Sequence, residues 1–366
     1  MAFTVRYAWR ADAQPWGPPM SDPTVPLRPV GKTAISVSEV GLGAASVGNL
    51  YRVVTANDAQ SILQRALQSG FTYIDTAPLY GFGLSERRVG DAVRCRKDAV
   101  VSTKVGRLLD PDRDVNSESV RDGFYSAMPF RPRFDYRYDA VMKSWEASLQ
   151  RLGLAKIDIL YVHDIDAQTH GESHSLMLEQ LTKGGGLRAL QTLRADGAIG
   201  AFGLGVNEVP ICLDILKEVE LDVILLAGRY TLLEPEGLDV LAPICAEVGT
   251  SIIVGAPFNS GILATGTHAG VIPHYNYAPP TGAIIERVAR IEVVCHRHHV
   301  PLAAAALQFP LAHPQVASVI PGIGLPDQVS DTLRQYRTDI APDFWWELKR
   351  QDLLPENACL PNHAPS

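Results

Sequence analysis

Ile157–His163 (IDILYVH), Leu187–Asp196 (LRALQTLRAD) and Gly200–Val206 (GAFGLGV) follow one another as an apolar run, an amphipathic segment and a second apolar run. The outer two are too short for buried helices and lack the polar alternation of a strand with one wet face. They read as parallel strands covered on both sides, with a helix carrying the chain back between them. The same unit recurs along the chain. Strand-like runs stand at Val37–Gly43, Tyr73–Ala77, Ala99–Val105, Ile157–His163, Gly200–Val206, Val223–Ala227, Ser251–Ala256 and Ser318–Pro321. Helical segments alternate with them at Asn57–Ser69, Ser85–Val93, Asp139–Leu152, Leu187–Asp196, Pro210–Val219, Leu238–Val248, Thr281–His296 and Asp327–Tyr336. Asn57–Ser69 opens on a capping residue, carries Ile62, Leu63, Ala66 and Leu67 on one face and stops at Gly70. Eight such units with no break in composition predict a single (β/α)8 TIM barrel, with an open doubly wound sheet as the alternative.

Composition agrees and narrows the partners. The 366 residues are 46% hydrophobic and 20% charged, enough apolar material for one large core. A net charge of −7 and the absence of a basic run argue against nucleic acid or an anionic membrane surface as partner. No stretch reaches the ~18 unbroken apolar residues of a membrane span, and the first residues, MAFTVRYAWRADAQPWG, lack the apolar core of a secretion signal. The five cysteines form no CxxC pair, which suits free thiols in a reducing cytoplasm. A barrel needs roughly 250 residues. The surplus falls in a partly flexible N-terminal extension (1–26), in two long loops and in a C-terminal tail (351–366), with the barrel at 27–350. Met20 is a possible start in place of Met1. The long loops follow the third and seventh strands, at Gly106–Tyr138 and Pro257–Pro280, and are expected to wall a substrate pocket, since barrel sites form at the C-terminal ends of strands.

Four residues at those ends carry the chemistry: Asp75 in YIDTA, Lys104 in VSTKVG, His163 in LYVHD, and Tyr80 at the tip of the loop after Asp75. A barrel end does not need charge in order to fold. An ammonium beside a phenol favours the phenolate, a carboxylate holds the ammonium, and a neutral imidazole can orient a substrate oxygen. Asp164 and Arg229 are polar groups placed for substrate hydroxyls, or for an ion pair that closes the barrel top.

GFTYIDTAPLYGFGLSERRVGDAV, the entry segment LRPVGKTAISVSEVGLG and the late segment VIPGIGLPDQVSD together resemble the aldo-keto reductase family over more than nine-tenths of the chain. The resemblance implies a catalytic tetrad of Asp75, Tyr80, Lys104 and His163. VHDID, AGRYTLLE and FWWELKRQDLL look like the aldose dehydrogenase branch. That implies oxidation of an aldose hemiacetal carbon to a lactone, with pyridoxal's hemiacetal, general NADPH-dependent aldehyde reduction and a non-catalytic nucleotide-binding regulatory subunit as alternatives. L-fucose, L-galactose, D-arabinose and pyridoxal all stay open as substrates. The cofactor implied is a nicotinamide nucleotide bound without a Rossmann fold; Gly203–Glu208 (GLGVNE) is the nearest approach to its glycine motif and lacks the third glycine.

Cofactor contacts carried over are Asn207 to the nicotinamide carboxamide, Pro257 after the seventh strand, and Gly322, Gln328 and Asp331 at the adenosine end. Relatives using NADPH place a Lys and an Arg where this chain has Gly322 and Gln328. NAD is therefore expected over NADP. The aromatic that stacks on nicotinamide is replaced by Gly255, with Tyr230 or Phe258 as substitutes, and a carboxamide-binding Gln is replaced by Ala227. Cys295-His296-Arg297-His298-His299 resembles a metal cluster but reads as a solvated helix end, so no metal is expected. Oligomeric state is not encoded legibly.

Overall fold

The structure, a computed structural model, describes residues 25–116, 118–267, 274–276 and 278–361. Met20, residues 1–24 of the extension and the last five residues of the tail lie outside them. Eight strands form one all-parallel sheet in chain order. They are β1 (Leu42–Gly43), β2 (Tyr73–Asp75), β3 (Val100–Val105), β4 (Ile157–His163), β5 (Ile199–Val206), β6 (Val223–Ala227), β7 (Ser251–Gly255) and β8 (Val316–Ile320). Parallel bridges Val40–Val319 and Gly43–Gly322 join the last strand to the first. The barrel is closed, as the eight repeats require, and the open doubly wound sheet is excluded.

Outer helices follow the strands: α1 (Ala56–Gln68), α2 (Leu84–Val93), α3 (Tyr138–Leu152), α4 (Gly186–Ala195), α5 (Val209–Leu216), α6 (Leu241–Val248), α7 (Gly282–Arg297) and α8 (Pro326–Tyr336). They pack on the outward strand side chains, Leu160, Leu204, Ile224 and Val254 among them. The inward side chains form a second core of Tyr73, Ile159, Tyr161, Ala201, Val223, Leu225 and Ile253. None of the helices among the described residues is long and apolar enough to cross a membrane.

The expected first strand, Val37–Gly43, divides. Ser36–Ser38 pairs antiparallel with Leu27–Pro29, and only Leu42–Gly43 enters the barrel. The division places Val30 and Val37, both fully buried, against the inner core. An apolar run thus served two elements, a hairpin that joins the barrel's interior and a short staff of the wall.

The loop after β3 is itself folded. Arg107–Pro111 pairs with Phe130–Phe134, and a smaller hairpin pairs Val120–Arg121 with Phe124–Tyr125. Its tip reaches the loop after β1 through a Leu50–Phe124 bridge. The loop after β7 begins with two short helical turns, Asn259–Gly261 and Ile262–Thr265. The histidine cluster ends α7, where Arg297 and His298 pair with Glu347 of the helix Pro342–Arg350. The end is solvent-exposed at His296, Arg297 and His299, as expected, and Glu347 in addition ties it to the following helix.

Candidate active site

Parallel strands in register bring their C-terminal residues to one rim, and that alone places Asp75, Lys104 and His163 side by side. Tyr80 arrives by a different route. The turn between β2 and α2 presses against the loop after β1. A Cβ on Gly81, whose φ is +64°, would lie 2.4 Å from the Gly48 carbonyl oxygen, and one on Gly48 would lie 2.8 Å from the Tyr80 carbonyl carbon. Only glycines allow this approach, and it pins the turn that carries Tyr80.

Lys104 is 1% exposed, and its ammonium donates to Asp75 Oδ2 at 2.6 Å, the Thr76 carbonyl at 2.9 Å and the Tyr80 hydroxyl oxygen at 3.2 Å. All three N–H bonds are used. The Tyr80 oxygen therefore accepts from a cation. His163 stands edge-on to the Tyr80 ring, with centroids 6.0 Å apart. Burial above all, then the charges of Arg107 and Lys104, holds its imidazole well below the usual pKa, so it is neutral at neutral pH. Its Nε2 lies 3.3 Å from Asp164 Oδ2, and its buried Nδ1 has no hydrogen-bond partner among the described residues.

Asp164 follows His163 with φ of +47°, the left-handed region. It lines the mouth cavity, and its guanidinium partner is Arg107, with Nη2 2.5 Å from Oδ2, where the sequence had offered Arg229 beside it. Burial pushes its carboxyl upward and Arg107 opposes that. Arg107 also lies over the Phe134 ring at 4.4 Å. The Tyr136 hydroxyl is 2.8 Å from the His163 carbonyl oxygen and fixes the end of β4. Neither Arg107 nor Tyr136 was singled out in the sequence. The one available signal was their place at the two ends of a long loop leaving a strand that bears Lys104.

A cavity of about 420 Å³ opens over the tetrad, lined on one side by Leu50, Tyr51, Leu79 and Phe124 and on the other by His163, Asp164, Asn207 and Ala227. Asn207 Nδ2 lies 3.1 Å from Asp164 Oδ1. A carboxylate accepts only, so the amide nitrogen must face it, leaving Asn207 Oδ1 as an acceptor for a carboxamide. A second, polar pocket shares Asn207 and Ala227 and adds Arg229, Asn259 and Ser260. Arg229 donates to Asn276 Oδ1 at 3.0 Å and to the Gly228 carbonyl at 3.2 Å. Ala256, Asn259 and Ser260 all have positive φ, a twist that escaped the sequence reading because the residues are not glycines. Asn207 Oδ1, free to accept from a carboxamide beside a cation-supported phenol, fits the nicotinamide end of a nucleotide.

The remaining expected contacts divide. Gly322 is exposed, 3.2 Å by its would-be Cβ from Ser46 Oγ. Gln328 Oε1 accepts from the N–H groups of Gly324 and Leu325 at 2.9 and 3.0 Å, and so closes the start of α8. Asp331 pairs with Arg334 at 2.7 Å. Tyr230 does not reach the mouth: it is 2% exposed and packed against Phe309 and His313, its hydroxyl end toward a separate small cavity with Cys359. Phe258 packs on the outer core and Pro257 is buried. Tyr230 is therefore not the aromatic that stands in for the one replaced by Gly255.

The model of the Aldo/keto reductase family matches residues 39–351. Pyridoxal 4-dehydrogenase of Microbacterium luteolum is 42% identical over 89% of this chain and 97% of its own length. D-threo-aldose 1-dehydrogenase of a Pseudomonas species is 36% identical over 88% and 96%. Among solved structures, an aldo-keto reductase from Bacillus halodurans in its holo form superposes with a TM-score of 0.69 at 23% identity, covering 91% of this chain and 99% of that one.

Proposed function

This chain belongs to the aldo/keto reductase family, and on that premise we propose that it oxidises the hydroxyl-bearing carbon of a small cyclic hemiacetal to a lactone with NAD. The observation that carries the reading is the Lys104 ammonium held between Asp75 and the Tyr80 oxygen beneath an open cavity. Bound NAD would supply the hydride acceptor for the carbon's C–H bond. The chain's own groups manage the oxygen. Tyr80, as phenolate, takes the hydroxyl proton while the C=O bond forms, and Lys104 stabilises that phenolate. Asp75 keeps Lys104 in place, and neutral His163 aligns the reacting oxygen by a hydrogen bond. Asn207 and the polar pocket beyond it would hold the nicotinamide end, and the 322–331 segment the adenosine end.

Gly322 and Gln328 support NAD over NADP. Two absent charge-assisted contacts, each worth ~1.5–3 kcal/mol, correspond to roughly 10²–10⁴-fold in kcat/KM. Gln328, in addition, is occupied in closing its own helix.

Two hemiacetal classes meet these terms, and the sequence reading ranked aldoses first. The apolar side of the cavity, Leu50, Leu79 and Phe124 with Tyr51, favours a flat ring with two apolar faces over a sugar bearing hydroxyls all round. Pyridoxal's hemiacetal therefore moves ahead of aldoses, in keeping with the 42% relative. The test is a panel of pyridoxal, L-fucose, L-galactose and D-arabinose with NAD and with NADP, following reduced cofactor and identifying the product by mass. A lactone formed with NAD is the expected result. Turnover only of open-chain aldehydes with NADPH would overturn it, and silence with every substrate would return the regulatory-subunit alternative.

A further inference from the structure

Beneath the tetrad the barrel interior carries a chain of hydroxyls that ends on Asp75. Ser102 Oγ donates to Asp75 Oδ1 at 2.7 Å. The Tyr73 hydroxyl lies 3.0 Å from Ser102 Oγ and 3.0 Å from the Tyr161 hydroxyl. Only one direction of donation is possible. A carboxylate accepts, so the single Ser102 proton points to Asp75; Tyr73 must then donate to Ser102, and Tyr161 to Tyr73. We infer that Ser102, Tyr73 and Tyr161 are positioning residues, a one-way hydroxyl chain that aims the Asp75 carboxylate at Lys104 and through that pair sets how readily Tyr80 takes a proton. The inference rests on the reading of Tyr80 as proton acceptor.

The chain is a dead end. Tyr73, Ser102 and Tyr161 are fully buried, and the two phenols sit among Ile159, Ala201, Val223, Leu225 and Ile253. No proton leaves by this route, so the proton from Tyr80 departs through the mouth. Burial also drives both phenol pKa values upward, which keeps Tyr73 and Tyr161 protonated and able to donate. Aligned donors polarise one another in such surroundings, so the last bond, to an anion, is the strongest. The wall accommodates the arrangement: a Cβ on Gly205 would stand 3.3 Å from Lys104 Cε and 3.4 Å from Tyr161 Cβ.

Removing the Ser102 donor leaves more charge on Asp75. Asp75 then draws the Lys104 proton harder, less positive field reaches Tyr80, and its phenolate forms at higher pH. Besides His163, the charged or titratable groups around the tetrad among the described residues include Asp164 at the end of β4, Arg107, Tyr136 and Asp122 from the loop after β3, and Glu86 from α2, which holds Thr103 beside Lys104. All are retained in the variants, so they cancel in the comparison.

Tyr80 can be titrated without substrate, as the tyrosinate absorbance lost between a protein and the same protein carrying Tyr80→Phe. In the full-length chain, Ser102→Ala is expected to lower the Tyr80 ionisation constant ~3- to 10-fold, the share of one charge-assisted hydrogen bond passed through two neighbours. Tyr161→Phe should move it in the same direction by less, and Ser102→Thr, which keeps the hydroxyl, should stay at the wild-type value. Unmoved titrations in Ser102→Ala and Tyr161→Phe would overturn the inference. Should Ser102→Ala fail to fold, Tyr161→Phe decides alone. Failure of the functional reading is a separate result, seen as absent turnover in wild type with every hemiacetal.

Discussion

Each N–H of Lys104 is committed, and one of the three goes to the Tyr80 oxygen, the proposed proton acceptor. Tyr80→Phe removes that oxygen and leaves the ammonium with Asp75 and Thr76. Loss of a general base costs ~10²–10⁴ in rate, so kcat should fall by that range while NAD affinity, measured by fluorescence quenching, stays near wild type. His163 makes a second prediction through stability. Its folded pKa lies well below the ordinary 6.5, so below pH 6.5 the unfolded chain binds the extra proton and the folded one does not. The sign follows: wild type loses stability as pH falls from about 6.5. His163→Gln lacks this titration, and the difference between the two in urea melts should change by ~1.4 kcal/mol per pH unit. Curves that stay parallel from pH 7 to 5 would show an imidazole that is charged in the folded protein.

Between residues and barrel stand the elements, and they explain which parts of the site were legible. Asp75, Lys104 and His163 could be read because strand ends convert sequence position into spatial position: a parallel register puts the last polar residue of each apolar run on the rim. Arg107, Tyr136 and Phe124 could not, since their places depend on how the loop after β3 pairs with itself, and hairpin register is not written in an apolar period. Tyr230 misled for a related reason. It lies three residues past β6, where a turn through Gly228 (φ +67°) sends the ring outward onto Phe309. The run Val37–Gly43 looked like one strand because Val37 and Leu42 are both apolar, though one joins the inner core and the other builds the wall. The hairpin yields its own prediction. A Cβ on Gly106, at φ +102°, would fall 2.2 Å from the Tyr136 ring that braces the end of β4. Gly106→Ala should cost ~2–4 kcal/mol from backbone strain and overpacking together. Because Tyr136 holds the His163–Asp164 carbonyls, kcat/KM should fall as well, which a purely local unfolding of the hairpin tip would not produce.

At the scale of the whole molecule the barrel is an assembly of strands that a single ligand can tie together. The mouth cavity takes Lys104 from β3, His163 from β4, Gly205 and Val206 from β5 and Ala227 from β6, while the polar pocket adds Ala256 just past β7. Gly322 then follows β8, bridged to Gly43 of β1. A nicotinamide dinucleotide lying from Asn207 to the 322–331 segment would touch strand ends on both sides of the seam where the barrel closes. It can do so only in the folded chain, so its binding free energy adds to stability. At a concentration 100 times its Kd, NAD should contribute ~2.7 kcal/mol, a rise in Tm of about 3–8 °C for a domain of this size. NADP places a phosphate dianion where Gly322 and Gln328 offer no charge. At the same concentration and about a hundredfold weaker binding, it should contribute ~0.4 kcal/mol or less. Thermal melts with each nucleotide and no substrate decide the matter independently of turnover. An equal rise with NADP would mean that other cations of the rim reach the phosphate, and would remove the basis for NAD preference while leaving the tetrad untouched.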